Sequence, residues 1–292
     1  MRSLTVALVL SLAAGTASAQ GSVSVQGFGY PPGQLGTRSA SMGGGSGEHD
    51  PESALNPAAL GLARSTMIFL QYAPEFRTVE GDGRPARTTT LRFPLVGGYA
   101  RLGERGRIGL HISALLDRTF AVSVPDTTTL GNGETAIDTD RFRNEGGISD
   151  VRFAGGWRFG RRFDLGVGIH ALTGQNRIDV TRDLGDSVEL AISERVLSYS
   201  GGAVSAGFAW QLSNVVNVAG SVQRGAELRT RAGDTLVSTG RAPDRLGGGV
   251  QYTGITGTTL AARAQYTAWS NMRGLASSAL TTFDTWEFGG GA

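Results

Sequence analysis

From residue 65 onward the chain alternates between apolar and polar positions. In RFDLGVGIHAL (162–172), Phe163, Leu165, Val167, Ile169 and Ala171 share one parity, and Asp164, Gly166, Gly168 and His170 share the other. VRFAGGWRF (151–159) sets Val151, Phe153, Trp157 and Phe159 against Arg152 and Arg158. RIGLHISALLD (107–117) sets Ile108, Leu110, Ile112, Ala114 and Leu116 against Arg107, His111 and Asp117. TTLAARAQYTAW (258–269) sets Leu260, Ala262, Ala264, Tyr266 and Ala268 against Thr259, Arg263, Gln265 and Thr267. A period of two belongs to extended chain. No long stretch carries a helical rhythm of comparable strength. The pattern predicts an all-β protein with ten strands: 66–76, 88–101, 106–124, 141–159, 162–182, 191–212, 215–230, 244–253, 258–270 and 284–292.

These strands are long. Strands of soluble domains average about 5–6 residues, whereas a strand that crosses a bilayer needs about 9–11. The connections between them alternate in length. Gly103–Arg105, Gly160–Arg161, Ser213–Asn214 and Gly254–Gly257 are tight, while 77–87, 125–140, 183–190, 231–243 and 271–283 are long and polar. Tight turns at one rim and long loops at the other are the plan of a transmembrane antiparallel β-barrel of the outer membrane. Tyr99, Trp157, Phe159, Phe163, Trp210 and Tyr252 cluster near the tight turns and read as an interfacial girdle; Phe120, Tyr266 and Trp269 read as its outer counterpart. A soluble sandwich would turn its polar face to water and pack large side chains inside. Here the polar parity mixes glycine with Arg, His and Gln, as a wet interior requires. The expected interior residues are Arg92, His111, Arg152, Arg158, His170, Arg263 and Gln265.

The N-terminus fits that compartment. Arg2 precedes an apolar run from Leu4 to Ala14, and Ala17-Ser18-Ala19 forms a small-residue cleavage site. Residues 1–19 therefore read as a secretory signal peptide, too short to remain as a membrane span. Cysteine is absent. The net charge is only +2 and no Lys/Arg stripe occurs, which argues against nucleic acid as a partner. Glycine is the outlier at 45 of 292 residues, well above the usual share of about 7%, and it suits a curved, closely approached sheet.

One stretch does not alternate. MGGGSGEHDPESALNPAAL (42–60) is too rich in glycine for a strand, and Pro51 and Pro57 interrupt any long helix. Irregular backbone is tolerated at membrane depth only within protein or a cavity. Residues 20–65 therefore either plug the barrel or hang from it as a tail. The run LGTRSASMGGGSGEHDPESALNPAAL resembles the N-terminal hatch of the FadL-type outer-membrane transporters, at Met42, Gly43, Gly44, Asp50, Asn56, Pro57 and Ala58. PorV-like proteins, which share that fold and serve protein secretion, carry a similar signature.

The resemblance implies a hatch over residues 20–65 inside a barrel of about fourteen strands. With some ten visible over 66–292, it also implies that the chain stops before the barrel is complete. It further implies passive transport of long-chain fatty acids or other hydrophobic small molecules. In the family, ligand leaves sideways through an opening made by a kinked strand; Pro94, Gly97-Gly98 and Gly146-Gly147 are the candidate kinks here, and each could equally be a bulge that merely curves the wall. The alternative is a PorV-like component of a secretion machinery, with protein partners at its loops. Beyond ligand, the expected partner is outer-membrane lipid.

Catalysis finds no support in the sequence. His49, His111 and His170 are scattered without metal-ligand spacing, and no nucleophile elbow occurs. The GGG runs at 43–45 and 247–249 lack the lysine and the strand-to-helix context of a phosphate loop. No cofactor or metal is expected.

Overall fold

The computed structural model describes residues 29, 31, 33–79, 86–129, 135–183, 189–275 and 282–292. Residues 1–19, which the sequence reads as a signal peptide with its cleavage site, lie outside them. Twelve strands form one antiparallel sheet: β1 (Met67–Val79), β2 (Ala86–Leu102), β3 (Gly106–Asp117), β4 (Phe120–Thr129), β5 (Thr135–Phe159), β6 (Phe163–Asp183), β7 (Glu189–Gln211), β8 (Val216–Ala232), β9 (Thr235–Arg241), β10 (Asp244–Ile255), β11 (Thr258–Ala268) and β12 (Thr285–Gly291). The main path runs β1-β2-β3-β5-β6-β7-β8-β10-β11-β12, with β4 attached to β5 and β9 to β8. Each strand of that path answers to one of the ten predicted from the alternation. Among the described residues, β1 and β12 are its two edges.

Three predicted boundaries need correction. The stretch 106–124, expected as one strand, breaks at Arg118-Thr119. There the Asp117 carboxylate accepts the Thr119 N–H at 2.8 Å, and the Arg118 N–H donates to Gly146 O at 2.9 Å. A short acidic side chain that captures a backbone donor two residues on competes with the ladder. The supposed loop 125–140 is mostly a hairpin, since β4 and β5 pair out to Thr129–Thr135. The supposed loop 231–243 holds β9, which turns back on β8 through Gly233 at φ 58°. Polar composition concealed both, because strands beyond the bilayer are wet on two faces and need not alternate.

Burial is inverted relative to a soluble protein. Ile68 is 89% exposed, Val167 67% and Ile169 63%, whereas His111 is fully buried and Arg152 and Asp150 are each only 1% exposed. Water would oppose so continuous an apolar exterior, and lipid favours it. Among the described residues no helix is long and apolar enough to cross a membrane; the strands present the apolar surface. Leu116 and Tyr99 depart from the expected faces. Leu116 turns inward (4% exposed), because a register shift between Ala114 and Leu116 breaks the alternation. Tyr99 also points inward (6% exposed) and packs with Leu60, Ala63 and Phe69, so it is not part of the girdle.

The sheet curls around the N-terminal segment. Gln34 Nε2 donates to Asp150 Oδ2 on β5 at 3.3 Å, while its Oε1 accepts from Arg245 on β10. Those strands are four places apart in the path, about 19 Å on a flat sheet at about 4.8 Å per strand. One glutamine reaches both only because the inner face closes on it.

Candidate functional site

The interior is layered from the tight-turn rim toward the long loops. Its middle layer is the N-terminal segment, folded as a short helix α1 (Thr37–Ser41) and two 3-10 turns, Gly47–His49 and Pro57–Leu62. Asp50 organises the first half. Its carboxylate accepts from Ser39 Oγ (2.7 Å), Ser53 Oγ (2.8 Å) and the Glu52 N–H (3.1 Å). Gly43 and Gly44 take φ of 59° and 79°, the left-handed region open to glycine. Asn56 organises the second half. Its Oδ1 caps the turn by accepting from the Ala58 N–H at 2.9 Å. Its Nδ2 donates to Glu48 O and to Phe208 O of β7, each at 3.0 Å. Pro57 opens that turn with a ring that lacks a donor and fixes φ.

Glycines on the wall let this segment approach. A Cβ at Gly166 would fall 2.3 Å from Ala58 N, and one at Gly207 2.1 Å from Asn56 Oδ1. Burial has electrostatic consequences in the segment. It pushes the His49 pKa down to about 4, and it raises that of Glu48 against the pull of Ser221, Arg263 and Arg152. Burial, then the neighbouring Asp50, raises that of Glu52.

A polar network joins segment to wall. His111 Nε2 lies 3.0 Å from Pro51 O, which can only accept, so Nε2 carries the proton. Nδ1 is then free to accept from Arg152 Nη2 at 3.2 Å. Arg152 Nη2 also faces Ser53 O at 3.3 Å. Asp150 meets His170 Nδ1 at 2.9 Å, His170 Nε2 meets Ser205 Oγ at 2.9 Å, and Gln34 Nε2 donates to Ser113 Oγ at 2.8 Å. Ser205, His170 and Asp150 stand in the order of a nucleophile, a base and its orienting acid. Yet Ser205 is buried (6% exposed) against Gly168 and borders neither cavity described below. The chain of bonds ties β5, β6 and β7 together and, through Gln34, to the segment. The described residues hold no cluster of three or more His, Asp or Glu arranged for a metal.

Toward the long loops the interior becomes apolar. Leu115, Leu116, Ile148, Leu172, Tyr199, Leu228, Ala242 and Met272 form a buried cluster, with Trp269 packed against it. Trp269 therefore sits against the interior cluster and not in an outer girdle. It starts the 3-10 helix Trp269–Leu275, which carries Met272 into the cluster.

The wall's hydrogen bonding is interrupted beside this cluster. The β2–β3 ladder stops at Leu95–Ser113, although β2 continues back to Ala86 and β3 on to Asp117. Pro94 is the residue at which it stops, and proline has no N–H to offer. The β1–β2 register shifts at the same level, between Gln71 and Ala73. On the far side, β5 and β6 lose pairing between Gly146–Asn176 and Ser149–Thr173. A cavity of about 380 Å³ occupies this place, lined by Phe93, Pro94, Ala114, Leu116, Gly147 and Ile148 among others. Arg92 and Asp117 form an ion pair within it. At the opposite end, a cavity of about 870 Å³ lies between the segment and the tight-turn rim.

The residues expected in the interior take these places. His111, Arg152 and His170 join the network. Arg263 and Gln265 bond each other at 2.7 Å beneath Gly44 and Gly47. Arg158 pairs with Asp164 at 2.9 Å at the rim, and Arg92 lies at the wall opening. Met42 lines the larger cavity. Gln34, Glu48, Asp150, Ser205 and Arg245 were not read from the sequence. Asp150 shares the parity of Arg152, which was a usable signal; Gln34 lies in a segment without periodicity and gave none. The apolar cluster was also missed, although Leu115 and Leu172 carry the inward parity of His111 and His170.

An inverted antiparallel sheet wrapped around a docked N-terminal segment defines a class of outer-membrane β-barrel. Comparison with solved structures gives a TM-score of 0.52 with a Pseudomonas aeruginosa FadL homologue, at 11% identity, over 89% of this chain and 76% of that one. The chain has the FadL-type fold. A Pseudomonas putida toluene transporter, TodX, matches with a TM-score of 0.46 at 14% identity, over 83% of this chain and 71% of that one. No family model and no curated protein matches the sequence.

Proposed function

We propose that the protein passes hydrophobic small molecules across the outer membrane, with residues 20–65 as a hatch that diverts them sideways. One observation carries this reading. The interrupted β2–β3 ladder opens the wall beside the only large apolar cluster found inside among the described residues. The 380 Å³ cavity touches Leu116 and Ile148 of that cluster on one side and the outward-facing Phe93 on the other. A hydrophobic solute gains nothing by entering a wet channel and much by moving from an apolar interior into lipid. The polar network and the docked segment block the straight path, so the lateral one is the cheaper. Long-chain fatty acids are the substrate that the hatch signature suggests.

Filling the cavity tests the route. Ala114→Trp should lower uptake of labelled oleate or toluene by about tenfold while leaving the folded fraction unchanged, because a bulky ring closes a space of this size. Uptake at the level of the unmodified protein would exclude the opening as the path.

A further inference from the structure

The larger cavity is an arginine-lined bowl. Seven arginines border it against three carboxylates, Asp50, Glu52 and Asp164. Two of those acids are already committed: Asp50 to the hydroxyls of Ser39 and Ser53, and Asp164 to Arg158. Of the arginines, Arg107 serves backbone carbonyls at Ala63 and Gly106, and Arg162 reaches Asn214. Among the described residues, Arg38 has only the electrostatic attraction of Glu52. The side chains of Arg64, Arg101 and Arg161 have no hydrogen bond or ion pair among the described residues, and Arg101 and Arg158 add their repulsion at Arg107.

Guanidinium groups gathered in one concavity repel each other, and the fold gains from an anion that neutralises them. A single carboxylate offsets one such charge. A phosphate group carries more charge and offers the oxygens that planar guanidinium forks grip in pairs. The rim adds apolar surface from Leu62, Met67 and Trp210, all partly exposed. We propose that this bowl is a binding site for a phosphate-bearing anion, on the far side of the hatch from the hydrophobic route. The rim lies at the level where tight turns of outer-membrane barrels meet the inner leaflet. The phosphate can therefore belong to a lipid headgroup or to a soluble compound.

The full chain in a neutral detergent is titrated separately with pyrophosphate, short-chain phosphatidylglycerol and short-chain phosphatidylcholine, followed by native mass spectrometry. Saturable binding of pyrophosphate assigns a soluble ligand; binding of phosphatidylglycerol in preference to phosphatidylcholine assigns a headgroup; either supports the site. Arg64→Gln with Arg161→Gln should weaken that binding by about tenfold or more, and added salt should weaken it further. Lysine at both positions keeps the charge and should restore part of the binding, which also shows that the variants fold. The proposal falls if pyrophosphate does not bind and the two lipids bind alike, or if glutamine and lysine variants behave the same. These changes leave the wall opening intact, so hydrophobic uptake reports on the transport reading separately.

Discussion

Two seams of the same sheet behave oppositely. Between β6 and β7 the ladder runs without a gap from Phe163–Trp210 to Asp183–Glu189, through a single register shift at Val180/Thr181. Between β2 and β3 it ends at Leu95–Ser113, which leaves Ala86–Pro94 of β2 and Ala114–Asp117 of β3 unpaired across the seam. Unpaired backbone in hydrocarbon costs several kcal/mol per group, so a complete ladder is what lipid demands. The incomplete one is tolerated where a cavity, an ion pair and a proline stand at the break. Continuous pairing is therefore the rule between neighbouring strands such as β6 and β7, and the gap at β2–β3 is a local exception with identifiable residues.

The comparison can be broken most forcefully by a charge on each seam. A crossing strand needs about 9–11 residues, which places Val167 near the middle of the membrane portion of β6. Val167→Arg should cost about 2–4 kcal/mol in a urea titration of the barrel in lipid. Phe93→Arg should cost about 1 kcal/mol or less, because a guanidinium there can turn into the cavity toward Asp117. Equal costs would mean that the β2–β3 seam faces lipid as fully as β6–β7 does.

The next effect concerns the segment. Asn56→Ala removes the cap at Ala58 and the bond to Phe208 O, leaving buried partners unsatisfied. It should loosen residues 34–64 by about 1–3 kcal/mol in hydrogen exchange, with the strands unaffected. Protection unchanged at Ala58 and Ala59 would show that the cap does not hold the segment.

A smaller effect separates His49 from its acidic neighbours. Its pKa is lowered to about 4 when docked, against about 6.5 when released. The released state then binds the proton first. Its contribution to docking is full above pH 6.5 and is lost as pH falls through about 4. Glu48 and Glu52 are raised, so acidification favours docking at those two groups. Hydrogen exchange of the segment between pH 7 and 4 should therefore show a loss in the unmodified protein that His49→Asn diminishes. Identical pH profiles would remove His49 from the account.

Much of this was legible in the sequence. The outward row Leu165, Val167 and Ile169 against His170 gives strand, face and compartment together, because a two-residue period admits one assignment once lipid is the solvent. Pro57 marked a break in any long helix, and the 3-10 turn that Asn56 caps there forms because side-chain capping and a fixed φ act within three residues. Local chemistry determines local structure, and those elements needed nothing more.

What the tertiary structure decided depends on distance. That Gln34 would meet Asp150 and Arg245 follows from curvature summed over strands, which no window of sequence contains. Pro94 marked a kink in the sequence, but whether it curved the wall or opened it depended on where β3 stopped pairing. The inward turn of Leu116 followed from a register shift that also involves Ile148 of another strand. The chain's alternation set which side chains face lipid; the closing of the sheet upon its own N-terminal segment set which of the remaining ones meet, because contacts between distant strands exist only once the curvature does.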